Sequence, residues 1–134
     1  MKLLITGSRK FNNFEALKEA IELVEKKHGA KVKLMIHGGA RGADTLAQKW
    51  ADSNNIPTKV IRPNYKKYSG KIAPMIRNTD LVKLADVTLA LYATDQRTGG
   101  TKDAADKTIK YNKPLTERMK DGSIRHIEPT QTLF

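Results

Sequence analysis

Two apolar patterns alternate along the chain: short unbroken runs, and longer stretches in which every third or fourth position is apolar. Lys2–Thr6 is an unbroken run ended by Gly7 and predicts a buried strand. Asn12-Asn13-Phe14-Glu15 then opens a helix, with Asn12 in the N-cap place and Glu15 three residues on. Phe14, Leu17, Ile21 and Val24 follow at helical spacing, and Gly29 stands where a helix-ending glycine belongs. Val32–His37 predicts a second strand. Ala43, Leu46, Ala47, Trp50 and Ala51 mark one face of a helix that starts near Gly42 and ends at Asn54-Asn55. Thr58–Ile61 reads as a third strand and Arg62–Ala73 as a basic loop. A third helix begins around Pro74, because proline suits a first turn. Asp86–Tyr92 predicts a fourth strand, Gly100–Asn112 a fourth helix, and Pro114–Thr116 the start of a fifth strand.

Strands alternating with helices predict an α/β domain with a parallel sheet. Right-handed crossovers make it doubly wound, most simply in strand order 3-2-1-4-5. Asp121-Gly122 is a hairpin signal between Arg118–Lys120 and Ser123–Ile127. The expectation is one domain over residues 1–134, its core about 1–116, with a short C-terminal hairpin in the extension 117–134.

Length and composition narrow the class. The 134 residues suffice for one hydrophobic core. There is no cysteine, which excludes a disulfide framework and a thiolate nucleophile. The chain opens straight into its first apolar run without a signal-type h-region, and no run approaches the ~20 apolar residues of a membrane span. A cytoplasmic protein with no membrane association is the expectation. Charge is the unusual number: 25 Lys and Arg against 14 Asp and Glu give +11. Such a field attracts polyanions and phosphorylated small molecules alike.

Candidate chemistry lies in the breaks between elements. Gly7-Ser8-Arg9 follows the first strand, His37-Gly38-Gly39-Ala40-Arg41-Gly42-Ala43-Asp44 the second, and Arg97-Thr98-Gly99-Gly100-Thr101 the fourth. In an open α/β sheet, ligands bind beyond the carboxyl ends of the strands where strand order reverses, here between strands one and four. Two of the stretches lead into helix N-termini, whose free N–H groups and positive dipole end favour anions. Glycine would let a phosphate approach those N–H groups, so Gly38–Gly42 and Gly99–Thr101 are the expected phosphate cradles. Neither G-x-x-x-x-G-K-[ST] nor G-x-G-x-x-G occurs, which argues against a P-loop NTPase and ordinary NAD-dependent hydride transfer.

Taken together, "ITGSRKF", "HGGARGADTLAQKWA", "IAPMIRN" and "TGGTKDA" resemble the YspA-like branch of the SLOG superfamily, over about residues 1–116. That superfamily is named for the DNA-processing Smf proteins and the LOG enzymes. The resemblance implies a Rossmann-like fold and a site for a nucleotide or a nucleotide- or NAD-derived ligand, without implying one activity. LOG enzymes hydrolyse the N-glycosidic bond of nucleoside monophosphates, other members sense NAD-derived signals, and the DNA-processing members bind single-stranded DNA. The LOG segment G-G-x-G-T-x-x-E aligns with Arg97–Ala104, so alanine stands where the catalytic glutamate belongs. Asp103 lies one position early, and Arg77 best matches the catalytic arginine. These two are the catalytic candidates; if the protein is an enzyme, the expected reaction is N-glycosidic hydrolysis or transfer.

The ligand-binding candidates are Gly7, Ser8, Arg9, His37, Gly38, Gly39, Arg41, Gly42, Asp44, Asn78, Gly99, Gly100 and Thr101. Arg41 offers a planar donor fork suited to phosphate. Asp44 fits a ribose contact and a helix first turn equally. His37 fits acid–base and structural roles. The three histidines lack metal spacing, so no metal and no cofactor are expected. Arg62–Arg77 interleaves cations with Tyr65 and Tyr68, as suits a nucleotide or a single strand. The expected partner is a nucleotide-derived small molecule, any nucleic-acid binding beside it being weak and nonspecific; the alternative is a single-stranded nucleic-acid-binding module resembling the DNA-processing proteins, and a homo-oligomer is compatible with the sequence.

Overall fold

The computed structural model describes residues 1–129; residues 130–134 of the expected C-terminal extension lie outside the described residues. The elements in chain order are β1 (Lys2–Gly7), α1 (Phe14–His28), β2 (Leu34–His37), α2 (Ala43–Ser53), β3 (Thr58–Val60), α3 (Ala73–Leu84), β4 (Val87–Leu91), α4 (Gly99–Lys110), β5 (Leu115–Arg118) and β6 (Ile124–Ile127). They build a Rossmann-like α/β fold around one sheet in the order β3-β2-β1-β4-β5-β6. The first five strands are parallel, and β6 pairs antiparallel with β5.

Alternation along the strands decides what each face buries. Leu3 and Ile5 of β1 and Leu89 and Leu91 of β4 pack with Leu17, Ile21 and Val24 of α1 and Ala47 and Trp50 of α2. Leu4 and Ile36 point the other way, onto Leu81 and Val82 of α3, and Ala90 packs with Ala105 of α4. With helices on both faces, β4 has no exposed position. That is why it reads as an unbroken apolar run. Each fully buried Leu or Ile contributes roughly 1.5–3 kcal/mol.

Two boundaries differ from the sequence pattern. Asn13 caps α1, its side-chain oxygen accepting the Ala16 N–H at 3.0 Å, so the cap lies one residue beyond Asn12. The fifth strand and the first arm of the hairpin, expected at Arg118–Lys120, are one element. That element runs on to Arg118, with Leu115 opposite Ile127 and Arg118 opposite Ile124. With the polar Thr116, the buried Glu117 and Arg118 following Leu115, the strand carries no apolar run that marks its length.

Candidate functional site

Beyond the carboxyl ends of β1 and β4, where strand order reverses, lies a crevice of about 440 Å³. Gly7, Ser8, Arg9 and Lys10 form one wall, Gly38, Ala40 and Asp44 a second, and Arg77 and Asn78 of α3 a third. The first turn of α4, Gly99-Gly100-Thr101, closes it together with Tyr92, Thr94 and Thr98. Gly7, Ser8, Arg9, Gly38, Asp44, Arg77, Asn78, Gly99, Gly100 and Thr101 are thus brought together as the sequence suggests. His37, Gly39, Arg41, Gly42 and Asp103 are not in the wall.

The loop after β2 is not an open cradle. Asp44 Oδ2 accepts the N–H groups of Gly38 and Ala40, both at 3.1 Å. His37 Nδ1 accepts the Gly39 N–H at 3.0 Å, and Ser8 O accepts that of Ala43 at 3.2 Å. The N–H groups of Gly38, Gly39 and Ala40, three of the donors expected to hold phosphate, are already engaged within the protein. Its glycines make room for other parts of the chain. A Cβ on Gly38 would lie 2.8 Å from Arg77 Cζ, and one on Gly39 would lie 2.7 Å from Arg62 Cζ. Gly42, at φ +77°, lets α2 start against the Ser8–Arg9 backbone, where a Cβ would come within 2.6 Å of the Arg9 carbonyl. Gly39 and Gly42 thus lie outside the crevice wall and leave room for Arg62 and for the Ser8–Arg9 backbone.

The His37 ring is likewise engaged within the protein. It is buried, and because Nδ1 accepts from Gly39, Nε2 carries the proton and donates to Gln48 Oε1 at 2.7 Å. Arg41 is exposed and turned away from the crevice wall.

The start of α4 behaves in the opposite way. Thr98 provides no side-chain cap and the first turn carries no acid. Among the described residues, nothing accepts the N–H groups of Gly99, Gly100 or Thr101; the first backbone bond of the helix is Lys102 N–H to Thr98 O. A Cβ on Gly99 or Gly100 would meet no atom within 4 Å. This N-terminus is open, and it faces the crevice.

Asn78 ties α3 to that turn. It is buried; its Nδ2 donates to Gly100 O at 3.3 Å and Asp103 Oδ2 at 3.0 Å, and its Oδ1 accepts from Arg77 Nε at 3.0 Å. Asp103 also accepts from Lys107 Nζ at 2.8 Å. Asp103 thus lies behind Asn78, outside the crevice wall. Arg77 remains at the wall. Its Nη1 donates to Gly38 O at 2.8 Å, leaving Nη2 without an acceptor among the described residues. Burial holds its guanidinium below the ordinary value, with Asp44 and Tyr65 pulling the other way.

Asp44 is the carboxylate in the crevice. Burial pushes its carboxyl above the ordinary range, against the opposing pull of the Ala40 and Gly38 N–H groups, His37 and Arg77. Oδ1 has no partner among the described residues. Among those residues, no group of three or more His, Cys, Asp or Glu is placed to hold a metal ion.

Behind the loop after β4 lies a network outside the expected site. Glu117 accepts from Tyr92 Oη and Arg97 Nε through Oε2 and from Arg125 Nη2 through Oε1, each at 2.7 Å. Arg97 also donates to Asp106 at 2.8 Å. The hairpin is thereby fastened to the segment carrying Thr94 and Thr98. A lone acid within the fifth strand was the available signal for it. Arg62, seated on Gly39, carried no signal beyond its place in a basic loop.

Two similarities of sequence bear on identity. The chain is 36% identical over 97 residues to the gene 61 protein of Mycobacterium phage D29, covering 66% of this chain and 74% of that one. A solved structure, phosphoribosylglycinamide formyltransferase from Bacillus halodurans, matches with a TM-score of 0.45 and 18% identity. That match covers 87% of this chain, which spans 55% of the formyltransferase. Residues 1–68, which hold the Gly7–Arg9 and His37–Asp44 stretches, match the profile of the YspA, cpYpsA-related SLOG family. The chain belongs to the YspA, cpYpsA-related SLOG family.

Proposed function

We propose that the crevice binds a nucleotide or nucleotide-derived small ligand, with a phosphate on the N-terminus of α4. The observation that carries this reading is the open turn Gly99-Gly100-Thr101, whose N–H groups have no acceptor among the described residues and face the crevice. Unsatisfied N–H groups and the positive end of the helix dipole favour an anion there. Arg77 Nη2 and the exposed Arg9 supply further positive charge along the wall. Asp44 Oδ1 is an acceptor suited to a ribose hydroxyl. Family membership supports a nucleotide-related ligand in general terms. If the ligand is turned over by N-glycosidic hydrolysis or transfer, the reaction the resemblance implies, the oxocarbenium-like charge needs a carboxylate nearby. In this crevice that group is Asp44, rather than Asp103.

Equilibrium binding of adenosine monophosphate tests the reading. Replacing Gly100, whose missing side chain leaves open space, fills the anion's place without touching the core. Gly100→Val should weaken binding by at least about tenfold, equivalent to ~1.4 kcal/mol, with an unchanged circular dichroism spectrum. Equal binding by parent and variant would remove α4 from the site.

A second reading, single-strand nucleic-acid binding, draws on the exposed Tyr65, Lys66, Lys67 and Lys71. Exposed cations interleaved with an aromatic are what a single strand recognises.

A further inference from the structure

Arg62 and Arg77 are held on successive carbonyls of one loop. Arg77 Nη1 donates to Gly38 O and Arg62 Nη1 to Gly39 O, both at 2.8 Å. The two glycines make this possible, since a Cβ at either position would occupy the space of the guanidinium. Each arginine keeps donors to spare: Arg62 Nε and Nη2 and Arg77 Nη2 have no acceptor among the described residues, and a guanidinium with free N–H groups suits a phosphoryl oxygen. Among the described residues, no carboxylate lies within 4.0 Å of either one.

Both arginines also line a second recess, of about 330 Å³, between the loop after β3 and α3. Arg77 belongs to the walls of both cavities and separates them. The recess carries Lys67, its Nζ 5.4 Å from the centroid of the Tyr68 ring, and the side of Ile76. Its acid is Asp80. Three cations, one aromatic face and an aliphatic wall suit a phosphoryl group attached to a planar ring. The volume is enough for one nucleoside-sized fragment.

We propose that Arg62, Lys67, Tyr68 and the recess-facing side of Arg77 form a second subsite for a phosphoryl-bearing, ring-containing half of the ligand. The ligand class is then a molecule of two nucleoside halves joined through phosphate, one half in the crevice and one in the recess. Arg77 lies between them, where the joining phosphates pass. This rests on the reading of the crevice given above, and extends it from a mononucleotide to a two-part ligand.

Titration calorimetry with adenosine monophosphate and with diadenosine diphosphate, on parent, Arg62→Ala and Tyr68→Ala, separates the two levels. The parent should bind diadenosine diphosphate at least about tenfold more tightly than the monophosphate, the order expected for one added stacking contact. Either variant should lose most of that advantage while keeping the parent's affinity for the monophosphate and its thermal midpoint. Monophosphate binding with no advantage for the two-part ligand would overturn the second subsite alone, as would an advantage that both variants retain. Absence of binding by either probe would overturn the crevice reading and the subsite with it.

Discussion

Asp44 holds the loop after β2 with one oxygen and leaves the other to the crevice, so its charge and its hydrogen bonds are separable by substitution. Asp44→Asn keeps an acceptor for the Gly38 and Ala40 N–H groups; Asp44→Ala removes it and leaves two donors unmet. The alanine variant should lose about 2–3 kcal/mol in urea denaturation, and the asparagine variant should stay close to the parent. The pH dependence follows from the direction of the shift. A carboxyl raised by burial favours its protonated form in the folded state. Its contribution to stability is complete below the ordinary carboxyl value of about 3.9 and is lost as pH rises through the raised folded value. Asp44→Asn should abolish that part of the decline when stability is followed against pH. From sequence alone, Asp44 and His37 each fitted two roles. What separates the roles is which backbone N–H each side chain meets, and that depends on the path of a glycine loop whose torsions no pattern of residue types specifies.

At the scale of elements, the strands with both faces covered were the legible ones. β1 and β4 are unbroken apolar runs because helices pack on either side of them. The strand order follows from right-handed crossovers. The C-terminal hairpin was only half legible, because its first arm contains Glu117, a buried charge whose partners are Tyr92 and Arg97 in the loop after β4 and Arg125 in β6. Burial pushes the Glu117 carboxyl up, but its donors outweigh that and hold it below the usual range. The stability it contributes is therefore present above the ordinary carboxyl range and lost as pH falls through the depressed folded value. Glu117→Ala leaves two guanidiniums and a phenol without their acceptor and should cost about 3–5 kcal/mol. It should also weaken nucleotide binding, since Arg97 precedes the crevice residue Thr98. Thermal midpoints from neutral to acid pH check the first effect, with the variant losing the parent's acid-dependent part. The candidate site was legible as three converging loops, but not as one open loop and one closed: residue types look alike in both.

For the whole molecule, the net charge of +11 is legible as a number, though the sequence does not say where it acts. The fold spreads it between paired cations such as Arg97, Lys102 and Lys107 and exposed ones such as Arg9, Arg41 and Lys66. A single strand neutralising several phosphates releases counterions, so its affinity falls with salt at a slope of about −0.7 per phosphate. Nucleic-acid binding should accordingly be sequence-independent and largely gone at physiological salt. Its loss in a Lys66, Lys67 and Lys71 triple alanine variant should be partial. Adenosine monophosphate binding should persist at that salt, because few condensed ions are displaced. Fluorescence titrations of both ligands across a salt series read the difference; tight single-strand binding that survives salt and resists competition by the mononucleotide would favour the nucleic-acid reading.

The closed loop after β2 sets the terms on which any ligand arrives. Ordering a glycine-rich segment is entropically expensive, since glycine has the most conformations to lose. Here that entropy is surrendered during folding, when Asp44 and His37 take up the N–H groups of Gly38, Gly39 and Ala40. A wall already rigid has little freedom left to give up on association, so more of each contact made there appears as affinity. The glycines that look like flexibility in the sequence are, in the folded protein, the stiff side of the site.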